Sequence, residues 1–262
     1  MEHAEQLTEK SFWDDMWSES HHVINPDKNK NSAHVRRVLD IFERYLSINE
    51  NLNILEIGGA GGGYLMYMVK NFKYRAYSLD YSDSGNELTA KYFSKAGVPV
   101  KIFQRDLFSD LSDLPKFDIV YSLGLIEHFS DPLPCIAKHY ELLKPNGILI
   151  LGVPNLGGIY TPFLKVLAPE ELHAHNLKTM KLRAWNEFEK KFNLKIIFRD
   201  YVGGFEPAIM HKQEKKSSLT KVFLRAVKFI AALSYHYPLK LLKKYDSGLW
   251  SGYLIGVYQK GA

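Results

Sequence analysis

The sequence predicts an α/β fold with a mostly parallel sheet that helices cover on both faces. Between residues 53 and 201, short apolar runs alternate with longer amphipathic stretches, a pattern typical of βαβ units. Strands are expected at 53–57, 74–79, 98–103, 117–122, 147–153, 194–201 and 252–258. Helices are expected at 62–71, 84–95, 132–143 and 178–192. Because ligands of such sheets bind beyond the carboxyl ends of the strands, the chemistry is expected in the loops that follow them.

The segments around this alternation complete the domain organisation. Residues 1–50 are expected to form an N-terminal helical cap, because apolar residues in 32–46 recur at helical spacing. The core then covers 51–204, a basic helical insertion covers 205–249, and the last core strand lies in 250–262. With 262 residues, 46% of them hydrophobic, the chain can bury the core of one such domain.

The composition favours a cytoplasmic protein. Residues 1–10 are polar and acidic and lack the basic and apolar stretches of a secretory signal. Cys135 is the single cysteine, which excludes an internal disulfide and a cysteine-based zinc cluster. The charge-free run 229–239 is too short to cross a bilayer. The uncharged run 145–164 contains glycines and prolines and is interpreted as a strand followed by a loop.

A glycine-rich turn follows the first predicted strand and begins a helix. Five of the six residues in 58–63 are glycine, which tolerates positive φ and lets a ligand approach the backbone. The glycines alone fit a dinucleotide with its pyrophosphate at the helix N-terminus, a nucleoside ligand without phosphate, or a turn that only packs helix on strand. Glu56 favours the second, because its carboxylate would repel pyrophosphate and attract an ammonium or sulfonium group.

Acidic residues also follow the next two predicted strands. Asp80 closes the second strand and can accept both hydroxyls of a ribose, whether in a dinucleotide or in an adenosyl compound. Asp106 follows the third strand and is placed to meet an adenine amino group, while Tyr81 could lie against the base. Tyr81 and Asp106 are alternatively ordinary loop residues. The pattern indicates a ligand that contains adenosine.

Together with the segment 117–129, these residues resemble the class I S-adenosylmethionine-dependent methyltransferases, in the branch that includes ubiquinone-type O-methyltransferases. The resemblance covers about residues 50–200. It implies a Rossmann-like, doubly wound sheet of seven strands with an antiparallel last strand, and S-adenosylmethionine as cofactor, with S-adenosylhomocysteine as product. Ala60 replaces the usual middle glycine of the motif, which adds only a methyl group. The implied cofactor contacts are Glu56, Gly58, Gly59, Ala60, Gly62, Asp80, Tyr81, Asp106, Leu107, Ser122 and Leu123.

The resemblance places His128 beside the reacting methyl group. Because imidazole titrates near neutral pH, His128 is the candidate general base for a hydroxyl acceptor. Alternatively, it hydrogen-bonds backbone and caps its loop. Some related enzymes bind a divalent metal through two carboxylates and this histidine. Gly124 occupies the earlier carboxylate position and leaves only Glu127 and His128, so no metal site is expected.

Three further residues are candidate acceptor contacts. His173 and His175 precede the helix expected at 178–192, on the acceptor side of related enzymes. With no third ligand in view, they are more simply polar loop residues than a metal site. Trp13 clusters with Phe12 and Trp17, and the resemblance implies a lid over the cofactor. The three rings could equally anchor the N-terminal helix to the body of the protein.

The positive charge is local. Residues 212–246 hold nine Lys and Arg and two acidic residues, so the total charge of +5 leaves a net of −2 elsewhere. Within 220–245, a basic stripe lies beside an apolar helix surface. The apolar surface could pack against the protein's own acceptor pocket, against a second subunit in a homodimer, or against an anionic membrane that the helix contacts peripherally.

The function expected from these features is O-methylation of a small-molecule, sugar or lipid-linked acceptor. An RNA-modifying methyltransferase that grips phosphates with the basic insertion is the first alternative. It is less favoured, because no RNA-binding module is visible and the lysines are interleaved with aliphatic residues. A non-catalytic, methyltransferase-like partner subunit is the second alternative, and the intact Glu56, Asp80 and Asp106 argue against it.

Overall fold

A computed structural model describes residues 5–19, 25–27, 33–205 and 245–262 of the chain. The strands are β1 (Asn53–Ile57), β2 (Arg75–Asp80), β3 (Val100–Gln104), β4 (Phe117–Leu123), β5 (Leu143–Pro154), β6 (Lys195–Phe205) and β7 (Ser251–Gln259). The helices are α1 (Lys10–Glu19), α2 (Ala33–Tyr45), α3 (Gly63–Phe72), α4 (Asp83–Ala96), α5 (Leu133–Leu142), α6 (Tyr160–Leu167), α7 (Pro169–His173) and α8 (Leu182–Lys191). A short 3₁₀ helix, Ile126–His128, follows β4.

The strands form one seven-stranded sheet in the order β3-β2-β1-β4-β5-β7-β6. Strands β1 to β5 are parallel, and β7 runs antiparallel to both β5 and β6. The predicted α/β class and the antiparallel last strand are therefore confirmed. The chain winds outward from β1 to β3 and then returns to place β4 on the other side of β1. This reversal opens a crevice at the carboxyl ends of β1 and β4.

Apolar layers cover both faces of the sheet. On one face, Trp185 and Phe188 of α8 pack with the buried side chains of the central strands. On the other face, Phe42 of α2 and Met66 of α3 do the same. A strand covered on both sides must be apolar almost throughout, which explains the continuous apolar runs that marked these strands in the sequence.

One helix begins where the sequence predicts a loop, and a second helix follows it. The interpretation of 145–164 as a strand and a loop is wrong after residue 159, because α6 begins at Tyr160 and α7 follows it. Pro162 sits in the first turn of α6, where a backbone N–H has no partner within the helix and its loss costs little. A proline near a helix start therefore does not break the helix.

The basic insertion lies almost entirely outside the described residues. The helix expected within 220–245, and the membrane or second-subunit contact expected of it, stay predictions. Among the residues that are described, no helix combines the length and the apolar character needed to cross a bilayer.

A buried ion pair joins α8 to the last strands of the sheet. Glu189 is buried, and its carboxylate accepts hydrogen bonds from the Arg199 guanidinium at 2.6 Å and from the Tyr258 hydroxyl at 2.8 Å. Arg199→Met keeps the aliphatic stem and removes the cation. We expect the free energy of unfolding, measured by chemical denaturation, to fall by about 3 kcal/mol, because a buried carboxylate loses its partner.

The matched control is Arg105→Met. Arg105 pairs with Asp113, whose side chain is 60% exposed, against 6% for Glu189. Because water screens such a surface pair, we expect the control to lose at most about 1 kcal/mol. Equal losses in the two variants would contradict the importance given to the buried pair.

Candidate active site

A cleft runs across the carboxyl ends of β1, β2 and β4, where the winding reverses. Its narrow end is lined by Asp80, Tyr81, Asp106 and Leu107 and encloses about 40 Å³. Its wide end is a cavity of about 710 Å³ that borders Gly59, Ala60, Leu123 and His128. Gly58 lies at both ends. Most residues implied as cofactor contacts thus lie along one cleft.

Glu56 lies buried where the cleft opens into the wide cavity. Its Oε1 accepts a hydrogen bond from the Tyr121 hydroxyl at 2.6 Å, and its buried Oε2 has no hydrogen-bond partner among the described residues. Burial raises the pKa of the Glu56 carboxyl to about 8, although the Tyr121 bond opposes the rise. A ligand cation beside Oε2 would restore the ionised form.

The glycine at position 59 leaves the space that the Glu56 side chain fills. A Cβ at Gly59 would overlap the carboxyl carbon of Glu56. Gly58 has φ +67° and donates its N–H to the carbonyl oxygen of Leu79 at 2.9 Å. The turn is therefore glycine-rich for two physical reasons, room for an acidic side chain and a left-handed backbone.

Asp80 is buried at the end of β2. Its Oδ1 accepts the backbone N–H of Ser82 at 2.9 Å. Burial raises the pKa of the Asp80 carboxyl to about 6, and backbone N–H groups of Ser82, Tyr81 and Ala60 limit the rise. Because Ala60 belongs to the glycine-rich turn, Asp80 joins the ends of two neighbouring strands.

The N-terminal segment lies over the narrow end. Gln6 pairs with Phe129 in an isolated antiparallel bridge, and the N–H of Leu7 donates to the carbonyl oxygen of His128 at 2.8 Å. Gln6 also lines the cleft beside Asp106, which is exposed and accepts the N–H of Phe108 at 2.7 Å. Residues before α1 thus form part of the cleft wall.

Helix α1 is fastened to the start of α4. Asp14 accepts hydrogen bonds from the Ser82 hydroxyl at 2.7 Å and from the N–H of Asp83 at 2.8 Å. The bonds that Asp14 accepts from Lys10 and Ser82 lower the pKa of its carboxyl to about 2. This attachment holds the Trp13 side chain in the cleft, where its ring meets the His128 ring edge-on at 4.8 Å between centroids.

Backbone contacts determine which nitrogen His128 offers to the cavity. Its Nδ1 lies 2.9 Å from the carbonyl oxygen of Ala174. Because a carbonyl oxygen only accepts, Nδ1 carries the hydrogen and the neutral ring has its lone pair on Nε2. Nε2 lies 3.9 Å from Oε1 of Glu127. His128 therefore both hydrogen-bonds backbone and presents a proton acceptor, so the two interpretations are compatible.

The two candidate histidines of the following loop lie in different environments. His175 lines the wide cavity, and its ring centroid is 4.5 Å from that of His128. His173 ends α7, is exposed and does not line the cavity. The two residues are close in sequence, but only His175 reaches the site.

Two of the implied cofactor contacts, Ser122 and Gly62, lie away from the cleft. The Ser122 hydroxyl is buried and bonds Nε2 of His139 at 3.0 Å, on the side of α5. Burial lowers the pKa of the His139 imidazole to about 4. Gly62 lies beneath the turn, where a Cβ would come within 2.9 Å of the Phe93 ring. Neither Ser122 nor Gly62 lines the cleft.

Sequence reasoning did not single out Asn176. Its N–H donates to the carbonyl oxygen of Glu127 at 2.6 Å. Its Nδ2 donates to the carbonyl oxygens of Phe129 at 3.1 Å and Ser130 at 2.9 Å. Asn176 thus ties the loop that carries His175 to the segment after β4. Its position next to two histidines was the only signal in the sequence.

A family model described as "Methyltransferase domain" matches residues 30–197. The chain is a member of the class I S-adenosylmethionine-dependent methyltransferases. The match spans well over half of the sequence and includes the glycine-rich turn and the segment 117–129.

Curated relatives and solved structures agree with this family. The ubiquinone biosynthesis O-methyltransferase of Haemophilus ducreyi is 25% identical over 193 residues, 69% of this chain and 72% of that protein. Across the relatives of that description, the chain spans between 42% and 72% of their lengths.

Two methyltransferase structures share the fold. Haemonchus contortus phosphoethanolamine N-methyltransferase 2, in complex with S-adenosyl-L-methionine, is 18% identical at a TM-score of 0.57 and covers 86% of this chain and 52% of that one. Streptomyces coelicolor geranyl diphosphate C-methyltransferase, with S-adenosyl-L-homocysteine bound, is 10% identical at a TM-score of 0.57. The match covers 85% of this chain and 77% of that one.

The raised pKa of Glu56 makes the stability of the ligand-free methyltransferase depend on pH. The folded protein keeps the Glu56 proton up to about pH 8, whereas the unfolded chain releases it near 4.5. The free energy of unfolding contributed by this group is therefore present below pH 4.5 and is lost as pH rises through 8. Glu56→Gln removes the titrating group. We therefore expect its free energy of unfolding, measured by chemical denaturation at several pH values from 5 to 8, to fall less with rising pH than that of the wild type.

The control is Glu50→Gln, at an exposed position. Its free energy of unfolding should fall with pH as that of the wild type does. If the curves of Glu56→Gln and the wild type ran parallel over this pH range, the buried carboxyl would not be the group responsible.

Proposed function

We propose that this methyltransferase transfers a methyl group from S-adenosylmethionine to a hydroxyl oxygen of a small-molecule, sugar or lipid-linked acceptor in the wide cavity. The observation that carries the proposal is a row of adjoining pockets with shared walls, of which one is lined by Asp80 and His128 and the next by Glu56 and His128. Residues suited to hold the donor and a residue suited to take a proton from the acceptor thus line one space.

The polar groups of the cleft fit S-adenosylmethionine. Asp80 can accept the ribose hydroxyls, and Asp106 lines the same narrow end and can accept a hydrogen bond from an adenine amino group. The Oε2 atom of Glu56 suits the methionine ammonium, because a cation there compensates the cost of burying the carboxylate. The role of Glu56 in this proposal is electrostatic, and Gly59 leaves room for it.

The reaction itself needs alignment and a proton acceptor. A lone pair of the acceptor oxygen attacks the methyl carbon opposite sulfur, the carbon–sulfur bond breaks, and its electron pair stays on sulfur to give S-adenosylhomocysteine. The hydroxyl proton passes to Nε2 of His128. The hydrogen bond from Nδ1 to the Ala174 carbonyl holds the ring in the tautomer that this transfer requires.

The walls of the wide cavity favour an uncharged or cationic acceptor. Phe12, Trp13 and Trp17 supply aromatic surface for a ring. Glu170 and Glu171 also line the cavity, and their carboxylates would repel a chain of phosphates. This weighs against an RNA acceptor and favours a compact hydroxylated ring.

Asp80→Asn tests the cofactor assignment. The variant keeps an oxygen for the Ser82 N–H but loses the charge that accepts the ribose hydroxyls. We expect S-adenosylmethionine affinity, measured by calorimetry, to fall about tenfold to a hundredfold, the value of a hydrogen bond to a charged group. Asp113→Asn, at an exposed site, is the control. Undisturbed binding by Asp80→Asn would overturn the assignment.

His128→Ala tests the proposed base. A panel of phenols, sugars and lipid-linked sugars is first screened with labelled S-adenosylmethionine, and the best acceptor is used for kinetics. We expect kcat to fall about 100-fold or more, as general-base contributions do, with little change in cofactor affinity. The exposed His173→Ala should keep wild-type kcat. Turnover by His128→Ala at the wild-type rate would exclude His128 as the base.

A further inference from the structure

Three side chains with metal-binding atoms meet at one side of the wide cavity. Glu127, His128 and His175 each bring one potential ligand atom within 4.8 Å of the other two. Glu127 and His128 belong to the 3₁₀ helix after β4, and His175 comes from the loop after α7. Two imidazoles and one carboxylate are a common ligand set for divalent transition metals.

The hydrogen bonds of both imidazoles suit metal binding. Nδ1 of His128 donates to the Ala174 carbonyl oxygen, and Nδ1 of His175 donates to the Glu171 carbonyl oxygen. Each neutral ring therefore carries its lone pair on Nε2. Metal-ligating histidines almost always donate their other ring nitrogen in this way, which fixes both the tautomer and the ring orientation.

The spacing of the three residues is held by structure outside the cluster. Asn176 binds the carbonyl oxygens of Glu127, Phe129 and Ser130, so the loop of His175 is tied directly to the segment of His128. Glu127 is 1% exposed and His128 is 7% exposed. The backbone segments that carry the three ligands are therefore already held side by side, and small side-chain movements would bring the ligand atoms to a cation.

Gly124 leaves the cavity side of this cluster open. Gly124 has φ +89°, borders the cavity, and its missing Cβ would lie 3.5 Å from Oε1 of Glu127. A side chain at that position would occupy space that an acceptor oxygen can use. Three protein ligands with a remaining open position are the arrangement of catalytic metal sites.

We propose that Glu127, His128 and His175 bind one divalent transition-metal cation and that the acceptor hydroxyl completes its coordination. The expectation of no metal treated the loop after β4 and the histidines at 173 and 175 as two separate candidate sites, whereas His175 lies 47 positions beyond His128 and joins it in one cluster. The proposal rests on the proposed function only for the identity of the oxygen ligand. Imidazole nitrogens favour zinc, iron or cobalt over magnesium.

The cation would act on the acceptor before methyl transfer. Binding of the hydroxyl oxygen to the cation lowers the pKa of that hydroxyl, and its proton passes to solvent. The oxygen then attacks the methyl carbon, and the carbon–sulfur electron pair stays on sulfur. In the cation-bound form, Nε2 of His128 is a ligand, and the cation takes over from it the task of generating the alkoxide or phenolate.

The test uses the full chain, freed of metal with a chelator and titrated with Co²⁺ alone while its visible absorption is recorded. We expect one Co²⁺ per chain and an affinity at least about tenfold lower in His175→Ala, in line with losses at metal sites. The matched control is His173→Ala, an exposed histidine two positions away, which should bind as the wild type does. Circular dichroism verifies that each variant is folded.

Two results would overturn the proposal: wild-type Co²⁺ binding as weak as that of His175→Ala, or an equal loss in His173→Ala. A parallel assay keeps the two proposals separate. If the chelator-treated protein transferred methyl groups at an unchanged rate, the metal proposal would be contradicted and the proposed O-methyltransferase activity would stand. Co²⁺ binding at the predicted stoichiometry without transfer to any acceptor would support the metal site and contradict the proposed reaction.

Discussion

The site depends on the order of the strands, because the strands that follow β1 are placed first on one side of it and then on the other. Because β2 and β3 lie on one side of β1 and β4 lies on the other, the loops after β1 and β4 separate and leave a crevice. The glycine-rich turn and the 3₁₀ helix Ile126–His128 border that crevice. The residues proposed for donor and acceptor therefore meet without belonging to the same loop.

Burial gives the crevice its electrostatic character. The carboxyls of Glu56 and Asp80 have raised pKa values because both lie in the protein interior. Such groups weaken the ligand-free protein whenever they ionise, and a ligand that brings a cation and hydroxyl donors offsets that cost. Under the proposed function, the burial that costs stability in the ligand-free protein is also the source of affinity for a cationic nucleoside.

Much of the fold and part of the site could be predicted from the sequence, because their signals are local. A buried parallel strand must be apolar, a left-handed turn favours glycine, and a residue that closes such a strand lies at the crevice. These signals identified β1 to β5 and placed Glu56, Asp80 and Asp106 along one cleft. The helix α6 was missed because the position of Pro162 within the first turn was not evident from composition.

Other features depend on contacts that no short segment contains. The sequence does not distinguish His173 from His175, because α7 ends between them and only the second turns inward. Ser122 lies one residue before the end of β4, but its hydroxyl is hydrogen-bonded to His139 of α5. The grouping of Glu127 with His175 requires the Asn176 contacts, which join two segments far apart along the chain.

The pairing of the N-terminal segment with the loop after β4 links the two ends of the cleft. Gln6 lines the narrow end of the cleft together with Asp80 and Asp106, so a nucleoside bound there would touch this segment. The next residue, Leu7, donates its backbone N–H to the carbonyl oxygen of His128. The same few residues therefore border the space proposed for the donor and support the backbone of the histidine proposed to act on the acceptor.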